Sequence, residues 1–125
     1  MDLKMKILVV DDFATMRRII KNVLKQIGFN NILEAEDGTV ALGILKENKV
    51  DLIISDWNMP KMNGLDLLKT VRKDESIKAV PFVMVTAEAQ KENVLQAVQA
   101  GVNNYIVKPF TADAVGEKLK QIFEK

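Results

Sequence analysis

Three carboxylates, one hydroxyl and one ammonium stand where the apolar runs of this sequence stop. Asp11 and Asp12 follow "KILVV" (6–10), Asp56 follows "DLIIS" (51–55), Thr86 follows "PFVMV" (81–85), and Lys108 closes "NYIVK" (104–108) ahead of Pro109. Two carboxylates ~5 Å apart repel by ~3 kcal/mol at an effective dielectric of about 20, and a third adds to this. Such a cluster calls for cations. Lys108 supplies one charge and a divalent ion would supply the rest. An oxygen-only donor set in a chain without His or Cys suits Mg²⁺, which keeps some of its waters and accepts phosphate oxygens. A carboxylate nucleophile beside that ion, with an ammonium and a hydroxyl at hand, is equipped for phosphoryl transfer.

Each residue has a plainer role when taken alone. An aspartate after a strand ordinarily caps a helix, and Asp37, before Gly38, is read that way. Capping accounts for one of Asp11 and Asp12 but not for both. Thr86 alone would be a strand-end cap and Lys108 a solvated lysine. For the cluster to be inert, the plain roles must coincide at every strand end. Lys69, Arg72, Lys73 and Lys78 read as a solvated face.

The elements that must position these groups follow from the hydrophobic pattern. With "NILEA" (31–35) there are five short apolar runs, mostly continuous rather than alternating, as in parallel strands covered on both faces. Between them lie stretches with helical spacing. Met16, Ile19, Ile20, Val23, Leu24 and Ile27 form one stripe, stopped by Gly28 as C-cap. Leu65, Leu68 and Val71 form another. Thr111 is placed to cap the last helix, with Phe110 stapled onto Val115 and a buried face of Val115, Leu119, Ile122 and Phe123. The helices after Asp37 and after Gln90 are shorter and less amphipathic. Strand–helix alternation five times over predicts an α/β fold, an open doubly wound five-stranded parallel sheet. Ligands of such sheets bind outside the carboxyl ends of the strands, and that is the edge where the charged residues stand.

Composition removes several functions. The 125 residues, 48% hydrophobic with a net charge of +1, suit one domain over 1–125 and give no electrostatic case for nucleic acid. Without Cys there is no disulfide or thiolate chemistry, and without His no phosphohistidine donor. No run reaches the roughly 18 apolar residues of a membrane span, and the N-terminus lacks a signal-peptide pattern. A cytoplasmic protein is expected. No G-x-x-x-x-G-K-[ST] loop is present, so the phosphoryl group must come from another molecule.

"VVDD" (9–12), "SDWNMPKMNG" (55–64), "VTAEA" (85–89) and "YIVKPF" (105–110) together resemble the receiver domains of two-component response regulators, most closely the stand-alone chemotaxis type. The resemblance runs the whole length. It implies a flavodoxin-like strand order of 2-1-3-4-5, with Asp56 as phosphoacceptor. It also implies Mg²⁺ held by Asp11, Asp12, Asp56 and the backbone carbonyl of Asn58. Thr86 and Lys108 would contact the phosphoryl group. Thr86 and Tyr105, at the ends of different strands, would form the switch, and Lys108-Pro109 would be a cis bond. The implied partners are a sensor histidine kinase, the flagellar motor switch and a phosphatase that removes the group, with the protein itself a monomer.

Other classes fit less well. An aspartate-nucleophile phosphatase typically wants a second carboxylate two residues after the first. Asn58 stands there, and an amide cannot exchange a proton at neutral pH. At most slow self-dephosphorylation is expected, so the chain reads as a phosphoacceptor rather than an enzyme. A flavin binder would need a hydroxyl-rich phosphate loop where "DDFATMRR" (11–18) presents acid. A relay protein, or a receiver cut from a larger regulator, is the nearer alternative. The sequence ends at Lys125 without an output domain, which suggests a protein that acts by binding.

Overall fold

Strands and helices alternate without exception in the computed structural model, which describes residues 1–87 and 91–124. The order is β1 (Ile7–Val10), α1 (Ala14–Ile27), β2 (Ile32–Ala35), α2 (Gly38–Glu47), β3 (Leu52–Asp56), α3 (Gly64–Lys73), β4 (Phe82–Thr86), α4 (Lys91–Gln99), β5 (Asn104–Val107) and α5 (Ala112–Phe123). All strand pairs are parallel, in the order β2-β1-β3-β4-β5. This is the doubly wound arrangement the sequence implied. Glu88 and Ala89 of the "VTAEA" motif, together with Gln90, lie outside the described residues.

Alternation along the strands divides the core into two layers. Ile7, Val9, Leu52, Ile54, Val83, Val85 and Ile106 face α1 and α5, where Ile20, Leu24, Val115 and Leu119 close the layer. Leu8, Val10, Ile53, Phe82 and Met84 face the other side and pack against Ala41 and Leu45 of α2 and Leu67, Leu68 and Val71 of α3. Every residue of β1, β3 and β4 is buried, which explains the continuous apolar runs.

Helix ends follow from local chemistry. Gly28 has φ 124° and its N–H donates to the carbonyls of Leu24 and Lys25, closing α1. Asp37 and Thr111 cap α2 and α5 through the N–H groups of Val40 and Ala114. Asn63 does the same for α3 through Asp66.

Three expectations change. Ile19 is not on the buried stripe of α1 but 43% exposed; Ile20 and Leu24 carry the burial. In α3 the fully buried side chains are Leu67, Leu68 and Val71 rather than Leu65, Leu68 and Val71. Arg72 does not belong to a solvated face. Its guanidinium donates to the carbonyls of Gly101 (2.9 Å), Lys78 (2.9 Å) and Val80 (2.6 Å) and to Asn103 Oδ1 (2.9 Å). It thereby ties α3 to the loops on either side of β4 and α4. Among the described residues, no helix is long and apolar enough to cross a membrane.

Candidate functional site

Parallel pairing sets the carboxyl ends of the central strands side by side. Val10 is in register with Ser55, and Asp56 with Val85, so Asp11 emerges from β1 next to Asp56 at the end of β3. Asp56 and Thr86 are the last residues of their strands, one position further in than residues that merely follow them. Asp11, Asp56 and Thr86 are all buried.

One ammonium serves two of the acids. Lys108 Nζ lies 3.2 Å from Asp56 Oδ1 and 3.8 Å from Asp11 Oδ2. The backbone of Lys108 is held by its own N–H, which donates to the carbonyl of Thr86 at 2.8 Å; the Lys108-Pro109 bond is cis. Asp12 completes the group, since one carboxylate oxygen from each of Asp11, Asp12 and Asp56 lies within 4.8 Å of the others.

Burial governs the titration of the inner pair. Desolvation raises the Asp56 carboxyl above the usual carboxylate range, and the charge and hydrogen bond of Lys108 oppose it. Desolvation likewise raises Asp11, against the N–H of Phe13, which donates to Asp11 Oδ1 at 2.9 Å. A cation in the cluster would favour the charged forms of both.

The donor set fits a hard cation. Asp11 Oδ2 and Asp12 Oδ1 are buried atoms with no hydrogen-bond partner, and buried polar oxygens of native proteins are ordinarily satisfied. Carboxylate oxygens converging in this way match the ligands Mg²⁺ prefers. Asp12 also borders an open cleft lined by Asn58, Met59, Pro60 and Asn63. Asn58 itself is exposed.

Several residues that shape the site were not singled out by sequence. Arg17 Nη1 donates to the carbonyl of Asp11 at 2.7 Å, while its Nε pairs with Glu34 at 3.1 Å; it stands six residues after Asp11, in the first turn of α1, where an arginine reads as surface charge. Gly64 packs so closely that an added Cβ would collide with the carbonyl oxygen of Asp56. The glycine N–H meanwhile donates to the Trp57 carbonyl at 2.8 Å. A glycine eight residues after the acid, opening a helix, was the available signal.

Tyr105 stands second in β5, opposite Met84, and not at a strand end as expected. It is half-buried, with Lys118 Nζ 5.0 Å from its ring centre. Thr86 is opposite Val107. Alternation puts Thr86, Met84 and Tyr105 on one face of the sheet, that of α3.

A five-stranded parallel sheet in the order β2-β1-β3-β4-β5 with an acidic cluster and a lysine at its carboxyl edge is the arrangement expected of a receiver domain. Residues 7–120 match the response regulator receiver domain family, and the chain belongs to it. More narrowly, the chain is a receiver domain of the CheY type of chemotaxis response regulator. It is 59% identical over 121 residues to chemotaxis protein CheY-3 of Vibrio cholerae, covering 97% of this chain and 93% of the relative. With chemotaxis protein CheY of Pseudomonas aeruginosa the identity is 57%, covering 97% and 98%. The fold is similar to the crystallised chemotaxis protein CheY4 of Vibrio cholerae, with a TM-score of 0.88 at 32% identity over 95% of this chain and 98% of that one.

Proposed function

We propose that Asp56 accepts a phosphoryl group from the phosphohistidine of a sensor kinase and that the phosphorylated protein binds the flagellar motor switch. The observation that carries this reading is the ion pair of Lys108 with the half-neutralised acids Asp56 and Asp11. An ammonium at this point can meet phosphate oxygens as they arrive, and a buried carboxylate can attack in line.

Mg²⁺, when bound, neutralises the transferring oxygens; Asp11, Asp12, Asp56 and the backbone carbonyl of Asn58 would hold it. An Asp56 oxygen forms the new bond to phosphorus as the bond to the donor nitrogen breaks, and the imidazole leaves with a proton from water. Lys108 and the Thr86 hydroxyl hold phosphoryl oxygens in place. Asn58 offers no general base to the incoming water, so the acyl phosphate is lost slowly unless a phosphatase acts. The chain works as one receiver domain, a monomer in the cytoplasm, and signals by binding rather than by turnover.

Output follows from the shared face of Thr86 and Tyr105. A phosphoryl group adds a charge of about −1.5 to −2 and three acceptor oxygens. Drawing Thr86 toward them changes the space open to Tyr105 on the same face, and with it the surface formed by α4, β5 and α5.

The test is incubation with Mg²⁺ and a small acyl-phosphate donor. One phosphate should be added and lost in mild base; Asp56→Asn should take none, and Asp113→Asn should match the parent. Base-stable label on a hydroxyl would overturn the reading.

A further inference from the structure

The loop between β3 and α3 carries Trp57 and Asn58, and it is fastened at two points. One is the Gly64 contact with the Asp56 carbonyl described above. The other lies on a different element, at the N-terminus of α2. A Cβ added at Gly38 would come within 2.7 Å of Met62 Cγ, 2.8 Å of its Sδ and 2.9 Å of its Cβ. Methionine 62 is therefore seated directly on the glycine backbone. The adjoining residue, Lys61, has φ 64°, the only positive φ of a non-glycine among the described residues. Its Nζ lies 3.8 Å from Asp37 Oδ2. Asp37 in turn is fixed, with Oδ1 accepting from the Thr39 hydroxyl at 2.6 Å and from Val40 N–H at 3.0 Å. The turn is tight here as well, because Met62 N–H donates to the Pro60 carbonyl at 2.6 Å.

We infer that Gly38 and Met62 form a seat that positions the Trp57–Asn58 segment, so that α2, which supplies no acid to the site, sets its affinity for the metal. Gly38 and Met62 act as positioning residues. The inference rests on the proposed role of the Asn58 carbonyl and deepens it. The physical ground is that the close atoms include Met62 Cβ, which is rigidly attached to the loop backbone. Swinging the thioether aside does not make room; the loop itself has to shift. Partners that orient metal ligands without touching the metal typically govern about 10- to 100-fold of its affinity.

The test compares two glycines of the same helix. An added Cβ at Gly43 meets nothing within 4 Å, so Gly43→Ala changes helix propensity alone, whereas Gly38→Ala also unseats Met62. Mg²⁺ is titrated against Trp57 fluorescence for the parent, Gly38→Ala, Gly43→Ala and Met62→Ala. Acrylamide quenching of Trp57 is measured in the metal-free proteins, and urea unfolding reports stability separately. The expected result is about tenfold weaker Mg²⁺ binding and altered metal-free quenching in Gly38→Ala and Met62→Ala, with Gly43→Ala like the parent on both. If Gly38→Ala does not fold, Met62→Ala decides alone. Parent-like affinity in the Gly38 and Met62 variants, or an equal loss in Gly43→Ala, overturns the seat and leaves the phosphoacceptor reading standing. A parent that does not respond to Mg²⁺ overturns both.

Discussion

Asp56 and Asp11 share one lysine, and burial makes both reluctant to ionise. The sign of the pH effect follows. Both carboxyls are raised in the folded protein, so they bind protons more readily there than in the unfolded chain. Their contribution is most favourable below about pH 4, the unfolded value, and is lost as pH rises through the raised folded values. In metal-free protein, Asp56→Asn should therefore raise stability at pH 7 by about 0.5–2 kcal/mol, the usual gain when a functional site is relieved. The gain should shrink toward pH 4, and urea midpoints across that range check it. A second expectation at this scale concerns Asp12, whose Oδ1 is buried without a partner. Asp12→Ala should abolish the Mg²⁺ response of Trp57, read by titration. The residue types and their places at strand ends were legible in the sequence, because carboxylates at the ends of buried strands have few structural uses. The hold of Arg17 on the Asp11 carbonyl was not, since that acceptor is a main-chain oxygen that no sequence pattern marks.

Among the elements, α3 departs most from what its sequence suggested. Arg72 lies between Val71 and Lys73 in a charged run and reads as solvated, yet its guanidinium holds three carbonyls and an amide oxygen. Which surface charges fold back onto loop carbonyls depends on loops contributed from elsewhere in the chain, so local periodicity cannot reveal it. The same limit moved the burial from Leu65 to Leu67, because the width of the covered stripe is set by the neighbouring α2. Arg72→Ala should cost about 2–3 kcal/mol, in the range of charge-assisted hydrogen bonds, while leaving the Mg²⁺ response of Trp57 as it was. Urea unfolding and the metal titration, run on the same variant, check both halves. The helix caps fared better: Gly28, Asp37 and Thr111 cap the helices expected of them, because a cap depends only on neighbours within a turn.

For the whole molecule, the sheet edge gathers groups from the carboxyl ends of four strands, β1, β3, β4 and β5. Five alternations dictated parallel pairing, but strand order came from the family resemblance, since nothing local decides whether β1 or β2 occupies the edge. The proposed coupling of Thr86 to Tyr105 is the least legible property, because it lies in the difference between two states. Thr86→Ala and Tyr105→Ala should each shrink the gain in target affinity on phosphorylation, a term of about 1–3 kcal/mol in typical switches. Tyr105→Ala should do so without changing phosphate uptake, and target binding with and without an acyl-phosphate mimic checks it. All of this presumes that the phosphoryl group sits on one carboxylate at the end of β3. Borohydride reduction of the phosphorylated protein, followed by peptide mass mapping, locates an acyl phosphate directly. The account predicts homoserine in place of Asp56 and unmodified Asp11 and Asp12. Homoserine at either of those two positions, or phosphate surviving on another side chain with Asp56 unchanged, would contradict it.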